Sequence, residues 1–507
     1  MFVKEALSIL DNRWLGPYDD ITLSKGIFGI LFLVSANILG ISYLTFSQIF
    51  YFLACISVIH MLNNFIKNKK ILLIIYLVLL FNPISFSDAF SFVYREGVYT
   101  SLILFFIAFS FCIFFNYKSL LKTMVYSFLF GLTYTSIYFC REENVWLVPY
   151  ILVAGFIIVI FIFKDKECKQ KFGKVLSIIG VPVGILIITT IIISSINYKY
   201  YGRFITNDYT SKDFTDAYGA LTRIKQDNYI ERVPLNEETR KKLYELSPKF
   251  KELEPYMEGP WVDIYRYIDN DIQDGFLYWA LRIAVREAGY YKNAATARDF
   301  YIDLADEIND LCDSKKLECL PKRSSLLAPL HKSLIDNLFE YIPKAFATQI
   351  TYKYVDAHIS KKYDDAAIPK LFYQYQTLTN NKLMYSEKDL KSINMKIMEI
   401  IAKIYSLLNP VLFVISLLCY IIIMVMFFVK KLYSTQYKQV ILLNGLLAIY
   451  LMRVGLVGYI AATEYKSAIM KCQYLACSYP VQSLFILLAI VSMFNLFKEY
   501  TKKEVIR

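Results

Sequence analysis

The stretch VLSIIGVPVGILIITTIIISSI, residues 175–196, contains no charged side chain. A helix of about 20 apolar residues crosses the hydrocarbon core of a membrane, so this stretch is long enough to span it. Apolar stretches of similar length recur at about 45–66, 71–86, 96–115, 123–140, 146–163, 406–430, 439–462 and 480–498. The sequence therefore predicts an all-α, multi-pass membrane protein with about nine spans.

The composition agrees with a membrane protein and argues against a soluble enzyme. Of the 507 residues, 56% are hydrophobic and 17% are aromatic, and the mean hydropathy is +0.39. Such values are typical of long polytopic chains. The net charge is +12, but the lysines gather in short loops between apolar stretches, where they meet anionic lipid head groups. No nucleic-acid partner is expected.

The lysines also orient the chain, because lysine-rich loops alternate with loops that carry acidic residues. By the positive-inside rule we predict that the lysine-rich loops are cytoplasmic. Their basic residues are Lys67, Lys69, Lys70, Lys118, Lys122, Lys164, Lys166, Lys169, Lys171, Lys174, Lys430, Lys431, Lys438, Lys498, Lys502, Lys503 and Arg507. In a cytoplasmic membrane, the segments that then face outward are 85–95, 140–146, 197–405 and 461–479.

One apolar segment, GIFGILFLVSANILG at 26–40, does not fit this alternation. Counted as a span it would invert every later loop, so we predict a re-entrant or interfacial helix on the outer face. A true span with a less regular charge pattern is the alternative. Residues 1–25 would then lie outside with no signal peptide before them. Either this short tail is exported unassisted, or a first helix lies upstream of Met1.

The polar stretch 197–405 is large enough to bury a core of its own. Helical spacing of apolar residues over 276–311 and 326–350 predicts a mostly helical domain, with loops at 202–216 and 228–262. The predicted organisation has an outer-face loop with a juxtamembrane helix, an N-terminal transmembrane bundle, the extracytoplasmic domain, and a C-terminal bundle with a cytoplasmic tail. Their bounds are 1–44, 45–196, 197–405 and 406–507.

Two close cysteine pairs fall in predicted outer loops, Cys312 with Cys319 and Cys472 with Cys477. Outside the cytoplasm such pairs are disulfide candidates, and free thiols are the alternative. The chain has three histidines, His60, His331 and His358. A metal site built on histidine is therefore not expected, and no residue is assigned as a metal ligand.

Two charged clusters stand at the predicted outer ends of spans: Arg95 with Glu96, and Arg141 with Glu142 and Glu143. A charged side chain at the edge of the hydrocarbon core of a membrane is energetically costly unless it binds a ligand or pairs with an opposite charge. Guanidinium groups bind phosphate oxygens bidentately, so the arginines predict a phosphate or pyrophosphate site. The alternative is that these residues are helix-end anchors and ion pairs.

Three further residues complete the candidate site. Asp19 and Asp20 lie in the predicted outer loop, where a carboxylate would serve as a general base or hold a divalent cation. Arg453 lies inside the span 439–462, and an arginine within a membrane is a functional candidate by default. Snorkelling or pairing inside the bundle is the alternative for Arg453.

Four segments of the chain resemble the GT-C superfamily of membrane glycosyltransferases, near the mannosyl- and aminoarabinose transferases. The segments are ALSILDNRWLGPYDDITLSKGIFGILFLVSANILGI at 6–41, FNPISFSDAFSFVYREGVYTSLIL at 81–104, CREENVWLVP at 140–149 and YLACSYP at 474–480. Arg13 and Ala476 depart from the glycine and proline of the family pattern. In that family the catalytic acid follows a first transmembrane helix, which here would lie upstream of Met1.

The resemblance implies a GT-C-like bundle and transfer of a sugar from a polyprenyl-phosphate donor to a glycan, lipid or protein acceptor at the outer face. It implies Asp19 or Asp20 as the base; the alternative is that the principal acid, like the first helix, lies upstream of Met1. Phosphate contacts would come from Arg95, Arg141 and Arg453, with Glu96, Glu142 and Glu143 orienting them or holding a divalent cation. Two alternatives remain: a transporter or flippase of a lipid-linked substrate, and a non-enzymatic sensor or assembly protein whose outer domain binds a partner.

Overall fold

The computed structural model describes residues 1–327, 329–355, 369–381, 392–429 and 433–505, and these are overwhelmingly helical. The helices and 3₁₀ turns are Phe2–Leu10, Phe28–Ile38, Tyr43–Leu62, Lys69–Leu80, Pro83–Phe86, Asp88–Ser91, Glu96–Asn116, Leu120–Tyr138, Asn144–Leu147, Val148–Lys164, Lys171–Tyr201, Lys212–Thr222, Glu237–Leu246, Pro248–Lys251, Glu254–Met257, Asp263–Tyr265, Leu277–Glu287, Tyr290–Lys292, Ala294–Asp313, Lys332–Thr351, Pro369–Thr379, Ile393–Val429, Tyr433–Thr463, Lys466–Met470, Cys472–Leu475 and Ser478–Val505. Two short strands, Arg266–Ile268 and Asp271–Ile272, pair antiparallel.

Eight of the described helices are long and apolar enough to cross a membrane. They are Tyr43–Leu62, Lys69–Phe86, Glu96–Asn116, Asn144–Lys164, Lys171–Tyr201, Ile393–Val429, Tyr437–Thr463 and Ser478–Phe497. The ninth predicted span, 123–140, forms the helix Leu120–Tyr138, which is not among the eight and carries several Ser, Thr and Tyr side chains. The all-α, multi-pass prediction is confirmed, whereas the count of nine stays a prediction.

The segment predicted to be interfacial, 26–40, forms the 11-residue helix Phe28–Ile38. At 1.5 Å per residue it is about 16 Å long, too short to cross a bilayer. Of the residues used to orient the chain, Lys430, Lys431 and Arg507 lie outside the described residues, as does His358.

The chain divides into two compact units. The first comprises Met1–Ile30, Thr189–Pro343 and Gly458–Ala468. The second comprises Leu31–Ile188, Lys344–Val457 and Ile469–Arg507. The N-terminal tail thus belongs with most of the predicted outer domain, whereas the described residues of that domain from Lys344 onward belong to the second unit.

In the first unit, the helix Lys212–Thr222 packs along Ala294–Asp313, and Phe214, Tyr218 and Phe300 are part of the hydrophobic core between them. The helical stretch predicted at 276–311 is two helices, because Gly289 adopts a left-handed conformation (φ 86°) that ends the first of them. Asn293 then caps the second through hydrogen bonds to the backbone N–H groups of residues 295 and 296.

The loop predicted at 228–262 contains the helix Glu237–Leu246, so that prediction was wrong there. The signals for the helix are present in the sequence. Asn236 caps it by accepting from the backbone N–H of Thr239, and the acidic first turn favours the helix dipole. Leu243 and Tyr244 are buried on its apolar face. Pro248, which punctuates the sequence, begins the next short helix instead of interrupting this one.

The two cysteine pairs differ. Cys312 and Cys319 form a disulfide that ties the end of the helix Ala294–Asp313 to the loop after it. Cys472 and Cys477 are separate buried thiols, so the second disulfide candidate is wrong in this structure. The short helix Cys472–Leu475 intervenes between them, and the Cys472 sulfur contacts the Ser87 hydroxyl at 3.9 Å.

In the second unit, the helix Glu96–Asn116 is the most deeply buried candidate span and packs against Tyr43–Leu62 and Leu120–Tyr138. Gly131 permits a close approach of the last of these to the helix Lys171–Tyr201. A Cβ at Gly131 would lie 2.8 Å from the Cα of Pro182, so a larger residue would push the two helices apart. This packing fixes the end of Leu120–Tyr138, from which Arg141, Glu142 and Glu143 follow.

Candidate functional site

The second unit brings six of the predicted site residues together. We call Arg95, Glu96, Arg141, Glu142, Glu143 and Arg453 the arginine–glutamate cluster. Arg95 and Glu96 begin the helix Glu96–Asn116, residues 141–143 lie before the turn Asn144–Leu147, and Arg453 lies within Tyr433–Thr463. The cluster thus unites three parts of the chain that are far apart in sequence.

Arg95 is buried and pairs with Glu142. Its Nη1 donates to both carboxylate oxygens of Glu142, at 2.9 and 2.8 Å, and to the backbone carbonyl of Cys140 at 2.8 Å. Because these bonds run from the start of one helix to the loop before another, they fix the position of residues 140–142. The alternative prediction, that the charges pair with one another, therefore describes this part of the cluster.

Arg141 is buried between two carboxylates. Its Nη1 lies 2.8 Å from Glu96 Oε1, and its Nη2 lies 2.5 Å from Glu143 Oε1. Glu96 is also buried, at the first turn of its helix, where the helix dipole favours a negative charge. Arg141 Nε and Glu96 Oε2 are buried and have no hydrogen-bond partner among the described residues. Both therefore hold unused hydrogen-bonding capacity.

Arg453 is 2% exposed and reaches the same carboxylate as Arg141. Its Nε and Nη2 donate to the backbone carbonyl of Tyr474, at 3.1 and 2.7 Å. Its Nη1 lies 3.8 Å from Glu143 Oε1 and makes no hydrogen bond within the described part of the chain. Arg453 thus pairs inside the bundle, and Glu143 lies between two guanidinium groups.

Two aromatic rings that the sequence reasoning did not assign hold these guanidinium groups. Tyr99 lies under Arg141 and Arg453, with ring centroids 5.3 and 5.7 Å from the two guanidinium carbons. The Trp146 ring lies 5.9 Å from Arg453, and its indole N–H donates to the Tyr99 hydroxyl at 3.1 Å. Both residues lie in the segments that carry the family resemblance. Tyr99 follows Arg95 by one helical turn, and this spacing indicates that the two side chains share one face of the helix.

Glu143 is the most exposed member of the cluster, at 28% of its side chain, whereas Arg141 and Arg453 are 4% and 2% exposed. Burial disfavours its charged form, but the nearby charges of Arg141, Arg453 and Arg95 outweigh that effect and lower the pKa of Glu143 to about 2. Glu143 is therefore an anion at neutral pH, placed at the open edge of the cluster between two buried cations.

An apolar groove of about 480 Å³ lies among three helices of the same unit, Glu96–Asn116, Val148–Lys164 and Tyr433–Thr463. Along the second helix it extends from Pro149 to Ile158, a rise of about 14 Å. The groove begins close in sequence to the cluster, because Tyr150 follows Trp146 by four residues and Met452 precedes Arg453. Its lining is mainly aliphatic and aromatic, which suits a hydrocarbon chain.

The two candidate bases lie in the first unit and are already engaged. Lys4 Nζ contacts Asp19 Oδ2 at 2.6 Å, and Asp19 Oδ1 accepts from the side chain and backbone of Thr22. Burial alone would raise the pKa of Asp19, but the bonds to Lys4 and Thr22 lower it, which makes Asp19 a weaker base. Asp20 is buried and accepts from Arg286 at 2.9 Å. A catalytic role for either stays a prediction.

Among the residues that the structure describes, no group of three or more His, Cys, Asp or Glu side chains could hold a metal ion. The carboxylates of the cluster are instead bound to arginines. Comparison of the chain with family models, with curated proteins and with solved structures returned no match.

Proposed function

We propose that this protein is a membrane glycosyltransferase that uses a polyprenyl-phosphate sugar as donor at the outer face of the cytoplasmic membrane. In the proposed reaction, the bond between the anomeric carbon and the phosphate oxygen breaks. A new bond forms between that carbon and an acceptor hydroxyl, which gives its proton to a base. Polyprenyl phosphate leaves with both electrons of the broken bond.

The observation that carries the proposal is the carboxylate of Glu143 between two buried guanidinium groups. A phosphate entering at the open edge would displace this carboxylate and take its place between Arg141 and Arg453, since guanidinium groups bind phosphate and carboxylate oxygens with the same bidentate geometry. The arginines are held ready by Tyr99, Trp146 and the Tyr474 carbonyl. Such preorganisation favours charge that develops on the departing phosphate.

The groove supports a lipid-linked donor over a water-soluble one. A phosphate bound at the cluster would have its ester chain beside Tyr150 and Met452, where the groove begins. A polyprenyl chain entering the groove leaves the hydrocarbon of the membrane and not water, so close packing against the groove wall is what would add to donor affinity. We assign no metal ion to this step. The base that accepts the hydroxyl proton stays a prediction, with Asp19 and Asp20 as the candidates.

The proposal is tested with purified protein in liposomes and a panel of polyprenyl-phosphate sugars labelled in the sugar. We expect sugar release or transfer with at least one donor, and at least a tenfold loss in Arg141→Gln. Arg298→Gln, at an exposed position of the first unit, is the control and should keep full activity. Movement of the labelled lipid across the bilayer without bond cleavage would instead identify a flippase and overturn the proposal.

The lipid part of the proposal has its own pair of variants on one helix. Ala154→Phe places a ring in the groove, whereas a side chain added at Gly155 meets open space, with nothing within 4 Å of its Cβ. Binding of a polyprenyl monophosphate should weaken at least tenfold in Ala154→Phe and stay unchanged in Gly155→Phe. Equal affinities in the two variants would remove the groove from the donor site.

A further inference from the structure

A second cavity, of about 350 Å³, lies wholly within the first unit. One side is apolar, with Ile224, Val233, Leu320 and Leu334 among its residues. The polar side chains that line it are Thr222, Lys225, Gln226, Arg232, Asp274, His331 and Thr463. A cavity of this size that combines an apolar wall with convergent polar groups is typical of a small-ligand site.

Arg232 supplies the cavity with a cationic donor that is not fully used. Its side chain is 3% exposed and lies over the ring of Tyr341. Nε donates to the carbonyl of Ala462 at 3.0 Å, and Nη1 pairs with Glu231 at 2.7 Å. Nη2 is buried and has no hydrogen-bond partner within the described chain. A buried donor left unsatisfied is destabilising, so an anionic ligand oxygen bound to Nη2 would relieve that cost.

Asp274 adds a buried carboxyl group to the lining of the same cavity. Its backbone N–H donates to the carbonyl of Arg232 at 2.7 Å, which joins the two residues through the main chain. One carboxyl oxygen accepts from the N–H of Gly275 at 2.8 Å. Burial raises the pKa of Asp274 to about 7, so near neutral pH this carboxyl both donates and accepts hydrogen bonds. A carboxyl group that both donates and accepts is suited to bind a sugar hydroxyl, which also does both.

An aromatic pair completes the lining. The rings of Tyr229 and His331 are stacked, with centroids 3.8 Å apart and an interplanar angle of 22°. His331 is held through its Nδ1 by the hydroxyl of Ser333 at 2.9 Å. Tyr229 is partly exposed, so this pair lies where the cavity meets solvent. Flat aromatic faces of this kind pack against the C–H face of a sugar ring.

We infer that this cavity binds one unit of an acidic sugar, with the acid group on Arg232, a hydroxyl on Asp274 and the ring against Tyr229 and His331. The two acid groups that guanidinium binds bidentately are carboxylate and phosphate, and both belong to this class. The inference does not depend on the proposed transferase activity, because the cavity and the arginine–glutamate cluster belong to different units.

The test is titration of the purified full chain in detergent with galacturonate, galactose 6-phosphate and galactose. We expect saturable binding of at least one acidic sugar and at least tenfold weaker binding of galactose. The acidic sugar that binds more tightly then shows whether Arg232 prefers a carboxylate or a phosphate. Arg232→Gln should lose at least tenfold in affinity, and Arg298→Gln should bind as wild type does.

Because Arg232 is buried, its variant is checked by thermal unfolding, and Tyr229→Leu at the exposed edge gives a second readout. Tyr229→Leu should weaken binding three- to tenfold, while Trp261→Leu, at an exposed position outside the cavity lining, should not. Absence of saturable binding by both acidic sugars, or unchanged affinity in Tyr229→Leu, would overturn the inference. Arg141→Gln separates the two proposals, since it should abolish transfer and leave acidic-sugar binding intact.

Discussion

Each of the two units buries a network of arginines and carboxylates, and the two networks differ in how closed they are. In the first unit, Asp208 accepts from Arg203 at 2.7 Å and from Arg282 at 3.1 Å, and Tyr18 donates to it at 2.8 Å. All these charged side chains are less than 10% exposed. In the second unit, Arg141 and Arg453 are equally buried, but the carboxylate between them reaches solvent.

This difference separates a structural network from a candidate binding site. Asp208 links residues of the N-terminal tail, the loop after Lys171–Tyr201 and the helix Leu277–Glu287, so it holds distant segments together. Within the described part of the chain, Glu143 links its own loop to Arg453, and another anion would satisfy the same arginines. An arginine–carboxylate pair that is closed off from solvent stabilises the fold. At an open edge, another anion is able to replace the carboxylate.

The largest expected effect is on the closed network. Asp208→Ala leaves two buried arginines without their shared counter-charge, which should lower the free energy of unfolding of the first unit by about 3–5 kcal/mol. Limited proteolysis and thermal unfolding in detergent would measure this. Asp299→Ala, whose carboxylate pairs with Arg298 at the surface, is the control and should change little. Equal stability of the two variants would contradict the structural role of Asp208.

The second-largest expected effect is also on the stability of the first unit. The Cys312–Cys319 disulfide closes a short loop, with a sequence separation of 7, so its loss should cost about 2–3 kcal/mol. A reducing agent should therefore increase amide hydrogen exchange near residue 312 in the wild type. It should have no such effect in the double variant Cys312→Ser, Cys319→Ser, which is already open. A response of the second unit to reductant would show an undetected bond there.

A more gradual effect is expected from pH. Because the pKa of Asp274 is raised to about 7 in the folded state, the folded protein holds this proton more tightly than the unfolded chain does. Its contribution to stability is complete near pH 4 and is lost as pH rises toward 7, by at most about 1.4 kcal/mol per pH unit. Asp274→Asn should remove this dependence, so its melting temperature relative to wild type should rise from pH 5 to pH 8. The exposed Asp269→Asn should show no such trend.

The smallest effect on stability is expected at the open edge. Glu143→Gln keeps the shape of the side chain and removes its charge, while Arg141 keeps its ion pair with Glu96. The fold should therefore persist with a smaller loss of stability than in Asp208→Ala. The freed arginines should then bind a short polyprenyl monophosphate several-fold more tightly than in the wild type, read as a larger rise in melting temperature with ligand. Glu167→Gln, at a highly exposed ion pair with Lys118, is the control. Weaker phosphate binding in Glu143→Gln would assign this carboxylate a supporting role.

The sequence predicted the features that depend on local signals. It predicted the membrane helices from apolar length, and it placed the charged residues 95–96 and 141–143 at helix ends. It did not predict which of these residues pair. Arg95 pairs with Glu142 and Arg141 pairs with Glu96, and this arrangement depends on how the helices pack. It also missed the cavity at Arg232, whose lining comes from loops and helix ends with no common spacing.

By itself the sequence determined which long segments form apolar helices, because apolar length and hydropathy depend on neighbouring residues alone. It also determined which residues are charged at the ends of those segments. Only the tertiary structure decided that Glu143 lies between Arg141 and Arg453 at an open edge, while Asp208 is closed in between Arg203 and Arg282. Exposure and counter-charge depend on residues far apart in the chain, and these alone distinguish an exchangeable anion from a structural one.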